Sequence, residues 1–253
     1  MTDVTIGDCR LILGDAFEVL PTLALGPNAH VICDPPFSAR THTGHDEGAK
    51  SRRDGAERNG LGYEPWTPEM VGDFVQTCHC AGVGWMACFC DHTLAPEYMG
   101  AMRRVGRYVF APLPYYAPGR SVRLTGDGPS SWTDWIVVSR TTAQRMWGTL
   151  PGGYSPKTGW GQHEHMGGKP LGLMREIVRD YSKEGDTVID PVAGSGTTGL
   201  AAISLGRKAI LIEKDPQTFE VMRRRIEVAD GKGGLFAAAF TPDLWGGTSG
   251  DPT

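Results

Sequence analysis

Hydrophobic positions along the chain alternate between two rhythms. Residues 10–13, 29–33, 84–90, 108–111, 132–139, 187–190 and 208–213 are short apolar runs of strand length. Between them, residues 16–23, 68–80, 96–105, 170–181, 199–205 and 216–228 carry the longer period of helices. Pro21 should end the first helix, and Thr67 with Glu69 marks the start of the second. Strands that alternate with helices predict an α/β fold around a mostly parallel, twisted sheet with one antiparallel strand.

Three polar stretches interrupt the pattern. Residues 38–62 are rich in Gly and charge and read as a loop. Residues 112–131, rich in Pro, Gly and Arg, read as a long hairpin-like connection, and 141–168 as a second irregular stretch holding Trp147, Tyr154, Trp160, His163, Glu164 and His165. Beyond 228 the chain is Gly- and Ala-rich, and only Leu235, Phe236, Phe240, Leu244 and Trp245 could dock it.

Composition narrows the class. With 253 residues the chain can bury one large core, and 40% hydrophobic with 21% charged residues is ordinary for a soluble globular protein. No run is long enough to span a membrane, and the N-terminus lacks a basic-then-apolar leader pattern, so a cytoplasmic protein without a membrane partner is expected. The net charge of −4 argues against a uniformly basic binder of polyanions. One segment differs: residues 101–126 hold Arg103, Arg104, Arg107, Arg120 and Arg123 and no acid, so they form either a phosphate-facing patch or a solvated face. Cys78, Cys80, Cys88 and Cys90, with His79 and His92 among them, invite a zinc reading. The spacing argues against it: Cys88 and Cys90 lie on a strand and share one face, where small thiols pack as core, and no metal is expected.

Two motifs carry chemistry. In VIDPVAGSGTTGLAA (188–202) a strand enters a Gly-rich turn and then a helix, with Gly194, Gly196 and Gly199 in the G-x-G-x-x-G spacing. Glu213 ends the next strand about 20 residues on, where an acid can take two ribose hydroxyls. A P-loop is excluded because no Lys follows the last glycine. NAD and S-adenosylmethionine remain. Asp190, at the end of the strand before the turn, would repel a pyrophosphate but suits the cationic methionine end of S-adenosylmethionine. The second motif, HVICDPPF (30–37), ends a strand in an acid, two prolines and an aromatic ring.

DPPF together with DPVAGSGTTGLAA resembles the DNA amino-methyltransferases, which methylate the exocyclic amine of adenine or cytosine. The catalytic motif comes first and the cofactor motif last, as in the permuted beta group of that family. Residues 13–23 (LGDAFEVLPTL) and 165–170 (HMGGKP) resemble two further family segments, although Met166, Gly167 and Gly168 stand where the family usually has Pro-Thr-Gln.

The resemblance implies a Rossmann-like methyltransferase fold in one catalytic domain, residues 1–228. A catalytic half (1–140), the irregular stretch (141–168) and a cofactor half (169–228) would make up the domain, with a flexible or docked tail (229–253). It implies that Asp190, Ala193, Gly194, Ser195, Gly196, Thr197 and Thr198 line the methionine and ribose of S-adenosylmethionine. Glu213 would take the ribose hydroxyls, Asp15 and Ala16 the adenine, and Lys169 would close the methionine end.

The chemistry of Asp34, Pro35, Pro36 and Phe37 follows from the target. An aromatic exocyclic amine is a poor nucleophile because its lone pair is delocalised into the ring. Asp34 can accept one N–H and the Pro35 carbonyl the other, which aims the lone pair at the methyl donor. Phe37 can stack on the base, which must be flipped from a duplex or come single-stranded. A carbon-5 cytosine mechanism would need a Pro-Cys nucleophile, and the chain has none. Members of the family it resembles with Asp at the first motif position are more often adenine enzymes, so the resemblance implies adenine. N4-cytosine, an RNA or protein amine, and an NAD-dependent oxidoreductase stay open as alternatives.

DNA is the expected partner, with Arg52, Arg53, Arg120 and Arg123 as candidate phosphate or base contacts. A homodimer is compatible with the chain. The setting implied is a bacterial or phage-infected cell, in restriction-modification or DNA methylation. Any endonuclease would lie on another chain.

Overall fold

The computed structural model describes residues 2–41, 64–116, 133–142, 148–157 and 168–231. Arg52, Arg53, Arg120 and Arg123, most of the 38–62 loop and the tail beyond Gly231 lie outside the described residues.

Among the described residues nine strands form one sheet. They are β1 (Thr2–Ile6), β2 (Cys9–Leu13), β3 (Ala29–Cys33), β4 (Trp85–Cys90), β5 (Tyr108–Val109), β6 (Leu113–Tyr116), β7 (Thr133–Arg140), β8 (Thr187–Asp190) and β9 (Lys208–Glu213). Their order is β1-β2-β9-β8-β3-β4-β7-β5, with β6 also paired to β7. The five inner strands β2, β9, β8, β3 and β4 are mutually parallel. β7 is the expected antiparallel strand and lies against β4. β1 is a second one, set antiparallel to β2 at the edge. Its sequence, TDVTI, is mostly exposed, so no buried apolar run announces it. β6 falls inside the stretch expected as irregular, because Pro114, Tyr115 and Tyr116 do not read as a strand core.

The helices are α1 (Ala16–Val19), α2 (Pro68–Cys80), α3 (Ala95–Arg104), α4 (Leu171–Tyr181), α5 (Thr197–Ile203) and α6 (Pro216–Gly231). After α1 the chain tightens into one 3₁₀ turn, Leu20–Thr22, at the proline expected to end it. Helices cover both faces of the sheet, so β3 and β4 are buried at every residue. The strand period sorts β4 cleanly: Trp85, Ala87 and Phe89 belong to the core layer that includes α4, α5 and α6, while Met86, Cys88 and Cys90 belong to the layer that includes α2 and α3. Cys33, Cys78, Cys88 and Cys90 are buried thiols of this second layer, and Cys80 is exposed. Among the described residues no cluster of His, Cys, Asp or Glu could hold a metal ion, and no helix is long and apolar enough to cross a membrane.

Arg107 corrects one expectation. It is not part of a phosphate-facing patch but is buried, donating to the carbonyls of Val83 and Gly84 (3.1 and 2.5 Å) and to Ser139 Oγ (2.8 Å). Burial lowers its pKa to about 10, and backbone carbonyls satisfy its donors.

The amino-terminal edge of the sheet is tied by a second buried polar group, His30. The Trp85 N–H donates to His30 Nδ1 at 3.1 Å, so the proton sits on Nε2, 3.0 Å from Asp186 Oδ2. Burial pushes the imidazole below its usual pKa, against the opposing pull of Asp186. Protonation would also remove the acceptor that Trp85 needs. The unfolded chain therefore takes up a proton more readily than the native one. The His30 contribution is present above about pH 6.5 and is lost as pH falls below it toward the depressed native value. Urea unfolding between pH 7.5 and 5 should show falling stability, with a shallower slope in His30→Gln.

Candidate active site

Parallel strands joined by crossovers put all their carboxyl ends on one edge of the sheet. In this chain five of those ends carry an acid just inside or just beyond the strand: Asp15 after β2, Glu213 on β9, Asp190 on β8, Asp34 after β3 and Asp91 after β4. The crossover from β8 runs outward to β9 through α5. That from β3 runs the other way to β4, through α2 on the opposite face. The direction of winding therefore reverses between β8 and β3. A ligand crevice belongs at such a point, and it is flanked by Asp190 and Asp34.

The residues of the Gly-rich motif form one connected turn with Asp190 and Glu213. Gly194 and Gly196 have φ of +52° and +82°, which side-chain-bearing residues rarely adopt. A Cβ on Gly194 would meet open space, so the backbone there is accessible from outside. Gly199 serves packing, since a Cβ would lie 2.4 Å from Leu211 Cδ1. The Gly194 N–H donates to Glu213 Oε2 at 2.9 Å, and the Asp215 N–H to Oε1 at 2.8 Å. Asp190 is buried and accepts from Thr198 Oγ1 at 2.5 Å and from the Val192 N–H at 3.2 Å. Burial raises its pKa to about 7 against those hydrogen bonds, and the charges of Asp34 and Glu213 add to the rise. Burial also raises Glu213. Ala193 is anchored by its N–H to the Ile212 carbonyl at 2.9 Å. Arg225, which the sequence reading missed, donates to the Ser195 carbonyl at 2.6 Å and its Oγ at 2.9 Å, and to Thr197 Oγ1 at 3.4 Å. Asp15 caps α1, accepting from the Phe17 N–H at 2.8 Å, with Ala16 buried beside it.

Asp34 is half-buried, and Lys169 Nζ lies 2.7 Å from both of its carboxylate oxygens. The same ammonium is 3.3 Å from Asp134 Oδ2 and packs over the rings of Phe37 and Phe89 at 5.0 and 4.9 Å. Burial raises the Asp34 pKa, and Lys169 opposes it. The two carboxylates hold Lys169 well above the usual lysine range despite its burial. Lys169, expected at the methionine end of the cofactor, thus reaches the Asp34 carboxylate.

The Asp34-Pro-Pro-Phe37 turn is fixed from behind. The Trp66 N–H donates to the Phe37 carbonyl at 3.1 Å. Asp91, fully buried, accepts from the Ser38 N–H and Oγ, from Thr41 Oγ1, and from the N–H groups of Thr93 and Leu94, over 2.5–3.1 Å. Burial pushes this carboxyl up, but those donors hold it below the usual range. The Asp91-x-x-Leu94 start of a helical run was its signal in the sequence. Asp134 had none, lying inside a strand.

The comparisons with known proteins differ in how much of the chain they take in. A family model described as DNA methylase matches residues 132–224, which leaves Asp34 outside. A type II methyltransferase of Moraxella bovis, M2.MboI, is 41% identical over 64 residues, 25% of this chain and 23% of the relative. The DNA adenine methyltransferase YhdJ of Escherichia coli is 46% identical over 61 residues, 24% of this chain and 21% of the relative. The matches thus span under a quarter of these curated relatives. Solved structures extend the likeness to the whole fold. An M1.HpyAVI complex with SAM aligns with a TM-score of 0.61 at 21% identity, covering 86% of this chain and 98% of that one. The PvuII DNA methyltransferase, specific for cytosine N4, aligns at 0.64 and 14% identity, covering 92% and 94%. The fold is that of the DNA methyltransferases, as the motifs implied.

Asp91→Ala would leave two hydroxyls and three N–H groups without their acceptor. It should destabilise the protein by roughly 3–5 kcal/mol in urea unfolding, far more than a surface acid would.

Proposed function

We propose that this chain is an S-adenosylmethionine-dependent DNA methyltransferase acting on the exocyclic N6 amine of adenine. The observation that carries the reading is the position of Asp34. It is a partly exposed carboxylate at the winding reversal, and its charge is felt by Asp190 at the root of the Gly-rich turn.

The turn fits the cofactor. Open space above Gly194 leaves room for a ligand against the backbone, and Glu213 keeps lone pairs on both oxygens for ribose hydroxyls. Asp190 supplies negative charge to a cationic methionine end and disfavours a pyrophosphate, which argues against NAD. Ala193, Ser195, Gly196, Thr197 and Thr198 complete the cradle, with Asp15 and Ala16 at the adenine end. When bound, S-adenosylmethionine supplies an electrophilic methyl group on a sulfonium.

Asp34 accepts one N–H of the target amine, and the Pro35 carbonyl accepts the other. The nitrogen is drawn toward a tetrahedral form with its lone pair free to attack. It gains positive charge as the bond to the methyl carbon forms, and the Asp34 carboxylate stabilises that charge. One proton then leaves the nitrogen for Asp34 or water. Phe37 offers a ring against which the flipped or single-stranded base can stack.

Adenine is favoured by the Asp of the motif and by the adenine specificity named for YhdJ. The N4-cytosine reading has its own support in the fold shared with the PvuII enzyme. DNA is the substrate by the same reasoning, with Arg52, Arg53, Arg120 and Arg123 as contacts.

Incubation with unmethylated duplex and single-stranded DNA, followed by mass spectrometry of the nucleosides, should yield N6-methyladenine. Asp34→Ala should cut the yield by about 10²–10³-fold or more. N4-methylcytosine instead would overturn the base assignment, and no methylated base would overturn DNA as substrate.

Cofactor affinity should depend on Asp190. With a pKa of about 7 the carboxylate loses its charge as pH falls from 8 to 6. The dissociation constant should weaken by up to about tenfold over that range. Asp190→Asn should bind more weakly at pH 8 and lose the Asp190-dependent part of the trend, read by calorimetry.

A further inference from the structure

We propose that Asp134 is a positioning residue for methyl transfer: it shares the Lys169 ammonium with Asp34, so that Asp34 stays a net-negative acceptor for the target amine. The inference rests on the methyltransferase reading above.

Three charged groups meet where the strand direction reverses. β7 runs antiparallel to β4, with Trp135 opposite Cys90, so the start of β7 lies at the edge where β4 ends. That reversal carries Asp134 to the carboxyl-terminal edge. Lys169 arrives from just ahead of α4, which packs on β3 and β4. Its ammonium is 2.7 Å from both Asp34 oxygens and 3.3 Å from Asp134 Oδ2, and all three side chains are largely shielded from water.

The electrostatic consequence concerns the reaction itself. In the transfer, the amine nitrogen bonds to the methyl carbon as the donor's carbon–sulfur bond breaks. Positive charge passes to the nitrogen until one proton leaves for Asp34 or water. A lysine resting wholly on Asp34 would cancel the carboxylate and oppose that charge. With Asp134 present the trio carries one net negative charge and Lys169 has a second seat. Asp134 therefore acts through Lys169 without touching the substrate.

The test combines turnover with a readout that needs none. In Asp134→Asn the lysine loses one of its two carboxylates, so its pKa falls. Competitive acetylation of Lys169 with isotopic acetic anhydride, read by peptide mass spectrometry, should speed up several-fold, about tenfold for each unit of pKa lost. With DNA and S-adenosylmethionine, kcat should fall about 10–100-fold with little change in the KM for DNA, and Asp134→Glu should recover much of it. In a Lys169→Gln background, Asp134→Asn should cost nothing further. Unchanged Lys169 acetylation in Asp134→Asn, or an additive loss in the double variant, would overturn the proposal. A wild-type protein inert on DNA would count against the functional reading instead. The acetylation arm still reports whether Asp134 governs Lys169.

Discussion

Parallel strands cannot be joined by tight turns, so each must return through a crossover, and every carboxyl end faces the same way. The rest of this molecule depends on that constraint. It gathers five acids from distant parts of the chain along one edge of the sheet. The winding reversal between β8 and β3 falls between two of them, the place in such a sheet where a ligand crevice belongs. The order of the two motifs along the sequence is immaterial to that placement, because the sheet joins β8 to β3 directly.

Five acids on one edge repel each other, and each is handled differently. Asp91 accepts from five donors and is fully buried, so its carboxylate is consumed in holding Ser38 and Thr41 behind the Asp34–Phe37 turn. Asp15 serves as a helix cap. Glu213 and Asp190 each hold the Gly-rich turn while sitting in a medium that raises their pKa. Asp34 alone among these is paired with a lysine, and it stays partly exposed. Similar carboxyl groups at similar places thus differ in chemistry through the number and charge of their partners.

The sheet's other edge shows the converse. Cations and imidazole there are neutral or saturated: Arg107 is wrapped by carbonyls, and His30 is held as a neutral tautomer between Trp85 and Asp186. These groups tie neighbouring strands together at that edge, while the five acids gather at the carboxyl-terminal edge. The likeness to known enzymes has the same asymmetry. The curated matches cover short segments, while the structural likeness takes in most of the fold. Packing layers tolerate exchange of apolar residues as long as the pattern is kept.

The sequence by itself determined the alternation of strands and helices, the bounds of β8 and β9, the Gly-rich turn and the DPPF break. Each is a local signal: an apolar period, a glycine that a positive φ demands, a proline that ends a strand. Asp34, Asp190 and Glu213 were legible because each closes a strand beside such a signal. Only the tertiary structure decided the rest. β1 and β6 become strands through pairing, not apolar content. Arg107 reads as a surface cation until the folded chain wraps it. Asp134 is one acid inside a strand until the reversal of β7 sets it beside Lys169 and Asp34, residues 35 and 100 positions away along the chain. Such partnerships depend on strand direction and register across the sheet, and no local pattern encodes those.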